Sequence, residues 1–349
     1  MQNLPVGVIA TLIGLATGLI MGLAARFGGF GTLSALRSAW DLGDQRRVRL
    51  WGIVIGVAIV MTYALDSFGV IRIAATPYHA GTINPIAAIL GGLAFGYGMA
   101  LAGNCGFEAL VRAGAGDVKA IVIAAIIGIT AMMATTGPLA ALRDITLPIG
   151  PASLPTGIAQ FMSEEVGLSP FFFAVIIAAF FVAAGLSYMP LRRSPARLLW
   201  GVAVGLAVAL SFAGMTWVHE NTAGRVAVEG PSFAEPLGRA LLALVLPADE
   251  GLSFSAGLVG GVVLGAFLGA LFRGFYRARA DEAPVALSRT ALGAALMGFG
   301  GAVAVGDIIG EGLSAMATLA WTGPVTLAAI LVGCWFGRSY LVAPEPDGP

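Results

Sequence analysis

The chain has 349 residues, of which 58% are hydrophobic and only 11% charged. Its mean hydropathy is +0.90, far from a soluble domain with roughly 25% charged residues. This composition is that of an integral membrane protein, and a net charge of zero argues against nucleic acid as a partner.

Apolar runs of about 17 to 25 residues predict transmembrane helices in chain order. They fall near 5 to 25, 50 to 66, 84 to 103, 118 to 139, 169 to 190, 197 to 218, 252 to 275, 289 to 306 and 323 to 341. The first ten residues, MQNLPVGVIA, carry no Lys or Arg, so the first run is expected to be a retained span rather than a signal peptide. Amphipathic pieces near 31 to 42, 106 to 115, 155 to 165, 237 to 247 and 308 to 319 are too short to cross and suit re-entrant or interfacial helices. The expected fold is all-α and polytopic, one transmembrane domain over residues 1–349 with about nine spans.

Charge placement orients it. With the N-terminus periplasmic, 15 of the 19 basic residues face the cytoplasm, among them Arg26, Arg37, Arg46, Arg47, Arg112, Arg277 and Arg279. Arg72, Arg143, Arg225 and Arg239 face the periplasm, beside the acidic Glu220, Glu229, Glu235, Asp249 and Glu250. The positive-inside rule then predicts a periplasmic N-terminus, a cytoplasmic C-terminus and an odd number of crossings.

Of the 50 glycines, most read as close helix packing through small faces. The exceptions stand beside polar residues. In FGYGMALAGNCGFEALVRAGAGD, Gly103, Asn104, Cys105 and Gly106 interrupt an apolar segment. At an offset of 202, Phe95-Gly96-Tyr97-Gly98 aligns with Met297-Gly298-Phe299-Gly300, and Cys105 falls opposite Asp307, which follows Gly306. Under the derived orientation these segments run in opposite directions, so inverted repeats of roughly 1–140 and 197–341 are expected. Broken helices in inverted repeats are a transporter pattern, because the half-helix N-termini direct free N–H groups at a midplane gap and favour an anion.

GGLAFGYGMALAGNCGFEAL, residues 91–110, and GAALMGFGGAVAVGDIIGEGLSAMATL, residues 293–319, resemble the two signature segments of the YeeE/YedE family of sulphur-transport membrane proteins. The resemblance extends almost end to end. It implies a bacterial inner-membrane carrier of thiosulfate or a related small sulphur compound, an hourglass-like helical fold, and cysteines that pass the substrate along by weak hydrogen bonds. It also implies, for some members, a small cytoplasmic sulphur-carrier protein as partner. Thiosulfate importers of the family have cysteines at the positions filled here by Gly31 and Asp307, and only Cys105 is retained. A three-cysteine relay is therefore not expected in its familiar form.

A dianion needs its hydration replaced in a low-dielectric core. A neutral Cys105 thiol is a weak donor to soft sulphur, whereas a thiolate would repel the anion, so a neutral thiol is expected at rest. Asn104 either orients an oxyanion through its amide or caps a helix. Asp307 either couples transport to a proton or caps the helix after it, and Glu311 either shares that proton or faces solvent. Glu108 and Arg112 read as an exposed i, i+4 ion pair. Cys334 reads as packing, and His79 and His219 read as loop residues remote from any metal ligand cluster. No metal, cofactor or catalytic residue is expected. Two other functions compete: a membrane sulphurtransferase carrying a persulfide on Cys105, and a passive channel for a small solute.

Overall fold

The computed structural model describes residues 6–80, 84–141, 157–245, 252–274 and 287–341. Arg143, Asp249, Glu250, Arg277 and Arg279, which enter the charge argument, lie outside them. The described residues are helical, with a single isolated bridge between Gly157 and Ala320.

In chain order the helices are α1 (Val6–Phe27), α2 (Leu33–Asp41), α3 (Arg46–Ser67), α4 (Pro77–Ala80), α5 (Pro85–Ala102), α6 (Gly106–Gly114) and α7 (Val118–Thr135). They continue as α8 (Ile158–Val166), α9 (Pro170–Leu186), α10 (Met189–Arg192), α11 (Pro195–Asn221), α12 (Glu235–Ala243), α13 (Phe254–Arg273), α14 (Leu287–Val303) and α15 (Thr322–Leu341). A π-helical turn over Gly310–Ala315 precedes α15. Six helical segments are long and apolar enough to cross a membrane: α1, α3, α5 with α6, α7, α11 and α13. Helix α9 is shorter but apolar.

Glycine decides how these helices meet. A Cβ on Gly14, Gly18 or Gly22 of α1 would lie 2.1, 2.2 or 2.5 Å from the carbonyls of Phe254, Leu258 and Val262 on α13. The converse holds for Gly257, Gly261 and Gly265 against Thr11, Leu15 and Leu19. Neither helix tolerates a side chain on this face, so the two backbones touch. The same happens between α5 and α14, where Gly91 and Gly98 oppose the carbonyls of Gly300 and Gly293 at 2.7 and 2.5 Å. Close backbone approach replaces the hydrophobic drive that lipid does not supply between helices. Around these two pairs, α5 also packs on α15, α14 on α7, α3 on α9 and α11, and α1 on α11.

Two expectations about peripheral residues need correction. His79 is not a loop side chain: it lies on α4, buried, with Nε2 3.0 Å from the Thr318 carbonyl. His219 lies on α11, its Nδ1 2.7 Å from the Val226 carbonyl.

Candidate functional site

The first break is built by four residues in succession. Helix α5 ends on Gly103, whose left-handed φ of 69° closes the turn without a Cβ penalty while its N–H donates to the Met99 carbonyl. Asn104 follows, its Oδ1 accepting from the Cys105 N–H at 3.1 Å. Cys105 then caps α6: its Sγ accepts from the Glu108 N–H at 3.4 Å, and Thr32 Oγ1 lies 2.6 Å from the same sulphur. Gly106 opens α6 against Phe233. Cys105 is fully buried, Asn104 is 2% exposed, and the Asn104 Nδ2 has no hydrogen-bond partner.

The second break has a similar left-handed turn and cap with different chemistry. After α14, Val305 takes the left-handed conformation, φ 64°, at the position equivalent to Gly103. Gly306 and Asp307 follow, and Asp307 Oδ1 accepts from the Gly310 N–H at 2.8 Å and from Ser232 Oγ at 3.1 Å. Asp307 thus caps the turn after it, as Cys105 does, and a hydroxyl from a distant loop touches each cap. Its Oδ2 is buried and closes no hydrogen bond, although the Phe233 N–H faces the carboxyl. Glu311 does not face solvent: it is fully buried on the π-helical turn, a geometry that gathers at functional sites. The hydroxyls of Thr322 and Thr326 face its carboxyl, yet neither closes a hydrogen bond on it.

Each break lines a cavity. One, of about 310 Å³, is bounded by Gly103, Asn104 and Glu108 together with Arg26, Arg37, Arg47 and Arg112. The other, of about 280 Å³, is bounded by Gly306, Ser232, Tyr78, Glu229, Glu235 and Arg239. Arg112 precedes the start of α7 and Thr135, on the second cavity, ends it; 18 helical residues therefore separate the two openings by about 27 Å. Between them runs a chain of rings, Phe30 to Phe107 at 5.6 Å and Phe107 to Phe233 at 5.3 Å between centroids. Cys105 and Phe107 lie in that closed waist, both without solvent access.

Glu108 does not form the exposed helical pair expected of it. Its Oε1 accepts from the Thr32 N–H at 2.9 Å, the Ser34 N–H at 3.0 Å and Ser34 Oγ at 2.6 Å, at the start of α2. Arg112 instead holds Asp117 at 2.7 Å. This contact also accounts for Gly31, where the resemblance would put a thiol: a Cβ there would lie 2.4 Å from Ser34 Oγ and 2.7 Å from Glu108 Oε1. Gly31 offers the site only its carbonyl, which accepts from Trp51 Nε1 at 2.7 Å.

Sequence reading located both breaks but missed Thr32, Ser34 and Ser232. Their one local signal is a hydroxyl residue at or just before a short amphipathic helix. Among the described residues no group of His, Cys, Asp and Glu is arranged to hold a metal ion. Cys334 is buried on α15, where its backbone N lies against Gly96.

The chain is similar to known proteins over most of its length. A family model described as sulphur transport matches residues 26–336. The thiosulfate transporter TsuA of Escherichia coli (strain K12) is 27% identical over 350 residues, covering 96% of each chain. The thiosulfate transporter TsuA of Spirochaeta thermophila is 25% identical over 329 residues, covering 92% of this chain and 96% of the relative.

Proposed function

Since the chain belongs to the sulphur transport family, we propose that it carries thiosulfate or a closely related small sulphur compound across the bacterial inner membrane. Its relatives are transporters, not enzymes. The observation that carries the reading is the pair of buried helix breaks, one on each of two cavities that open at opposite ends of α7. The path runs from one break to the other past Cys105, whose thiol is a soft donor at the waist.

The finer architecture is nine crossings in inverted repeats, with the N-terminus periplasmic and the C-terminus cytoplasmic. Packing supports it. Exchange α1 with α11, α2 with α12, α3 with α13, α5 with α14, α6 with the π-helical turn, and α7 with α15, and most of the main contacts among these elements map onto one another. The α1–α13 contact becomes α11–α3, the α5–α15 contact becomes α14–α7, and α6–α7 becomes the π-turn on α15. Such an exchange relates the two cavities, and it sets Arg37 of the first against Arg239 of the second, 202 positions later.

In this reading Asn104 holds an oxyanion by its amide, Cys105 donates weakly to sulphur, and Asp307 with Glu311 carries the proton that lets an anion pass two carboxyls. A small cytoplasmic sulphur-carrier protein is the partner left to receive the product at the arginine-lined face.

The test is uptake of sulphur-labelled thiosulfate, with sulfite, sulfate and sulfide for comparison, into proteoliposomes holding the purified chain. Uptake with no mass gain on Cys105 supports transport. Sulphur retained on Cys105 with no uptake would overturn it in favour of a persulfide carrier.

A further inference from the structure

In the arginine-lined cavity the Glu108 side chain occupies a set of donors of the kind that binds an oxyanion. Three donors converge on Glu108 Oε1, two of them backbone N–H groups at the start of α2, a nine-residue helix. Free donors at a helix N-terminus together with its partial positive charge attract an anion. A second observation points the same way: Asn104, 2% exposed, lines this cavity with a buried Nδ2 that no acceptor satisfies. A buried amide donor without a partner costs about as much as a lost hydrogen bond, and the cavity that Asn104 lines has room for a small oxyanion. The Arg37 guanidinium lies over Gly103 of the same break, and no carboxylate pairs with it among the described residues.

We propose that Glu108 is a tethered competitor: its carboxylate occupies the oxyanion site at the start of α2 until a diffusible oxyanion displaces it onto Asn104 and the α2 N–H groups. The consequence reaches the waist. Glu108 fixes the Thr32 backbone, and the Thr32 hydroxyl sits on the Cys105 sulphur. Displacing the carboxylate therefore exchanges the partner of the Thr32 N–H, so occupancy by the anion is coupled through Thr32 to the thiol. Gly31 permits this, because any side chain there would take the space of the carboxylate. The inference rests on the transport reading for its biological use, but the site itself is defined by oxyanion chemistry alone.

The experiment is equilibrium binding of sulfate and of thiosulfate to the purified full chain by calorimetry, for wild type and Glu108→Gln. The amide keeps the volume and one acceptor but loses the charge. Both anions are expected to bind roughly tenfold tighter to the variant, the factor by which a charge-assisted bond exceeds a neutral one. If Glu108 were only a staple for α2, its loss would weaken binding, and unchanged or weaker binding overturns the proposal. Should Glu108→Gln not fold, Glu108→Asp keeps the charge but withdraws the carboxylate by one methylene from the donors at the start of α2, with roughly threefold tightening expected and the same overturning result. The two readings fail separately. Thiosulfate uptake with no tightening overturns the competitor alone, whereas tighter oxyanion binding by a chain that moves no thiosulfate overturns transport alone.

Discussion

Replacing Cys105 by serine separates the structural work of the residue from its chemical work. The sulphur caps α6 through the Glu108 N–H and partners the buried Thr32 hydroxyl. Removing both in Cys105→Ala costs about 1 kcal/mol for the cap. It costs at least about 1 kcal/mol more for the hydroxyl left unsatisfied in a closed waist. Cys105→Ser keeps an acceptor and a donor at the same place, so its cost should stay below about 1 kcal/mol. Thermal unfolding in detergent should rank wild type and serine together, with alanine clearly lower. Uptake should rank them differently: a hydroxyl is a harder and stronger hydrogen-bonding group than a thiol, and it neither matches a soft sulphur nor releases an oxyanion as readily. Thiosulfate uptake in proteoliposomes is expected to fall at least tenfold in both variants. Serine transporting at the wild-type rate would refute the reasoning and leave Cys105 as a cap.

Asp307→Asn keeps the acceptor used by Gly310 and Ser232 but removes the exchangeable proton, so uptake across external pH should flatten; an unchanged profile would rule out a coupling role. Val305→Gly should raise the unfolding temperature modestly, because a β-branched residue held left-handed stores about 1–2 kcal/mol, against roughly 0.5–1 kcal/mol of glycine entropy. Val305 is mostly exposed, so little burial is lost, and a lower melting temperature would count against the strain. Gly18→Leu places a side chain where even a Cβ lies 2.2 Å from the Leu258 carbonyl, and should cost about 3 kcal/mol or more by forcing α1 from α13; wild-type melting would show that the helices can separate freely.

How much of this was legible in the sequence follows from which forces are local. A run of about 20 apolar residues in lipid must satisfy its backbone internally, so α1, α3 and α11 were readable from composition alone. The first break was readable because glycine and asparagine announce it. The second was found only by alignment with the first, since Val305 hides a left-handed turn behind a residue that seldom makes one. Glu108 was misread because its spacing to Arg112 is a local signal, whereas its partners Thr32 and Ser34 stand more than seventy positions away. Long-range hydrogen bonds between loops leave no periodic trace, and the burial of Glu311 and His79 is invisible for the same reason.

The two breaks share a left-handed residue and a side-chain cap three positions ahead but differ in charge, and on the proposed path that difference sets the order of events. Asp307 presents an unpartnered Oδ2, and Glu311, four residues on, presents two unpartnered oxygens; all are buried, and among the described residues no cation pairs with them. Two charges so placed in a low-dielectric interior would cost far more than any hydrogen bond here returns. A dianion approaching them would add to that cost. On the proposed path the carboxyl break would be discharged by a proton before substrate passes, whereas the thiol break would need no such step and would be controlled by displacement of Glu108. On this argument Asp307→Asn should spare oxyanion binding at the arginine-lined cavity while altering uptake, and Glu108→Gln should alter binding there while sparing the pH profile. If one substitution moved both readouts equally, the breaks would be acting as one site and the two-station path would have to be abandoned.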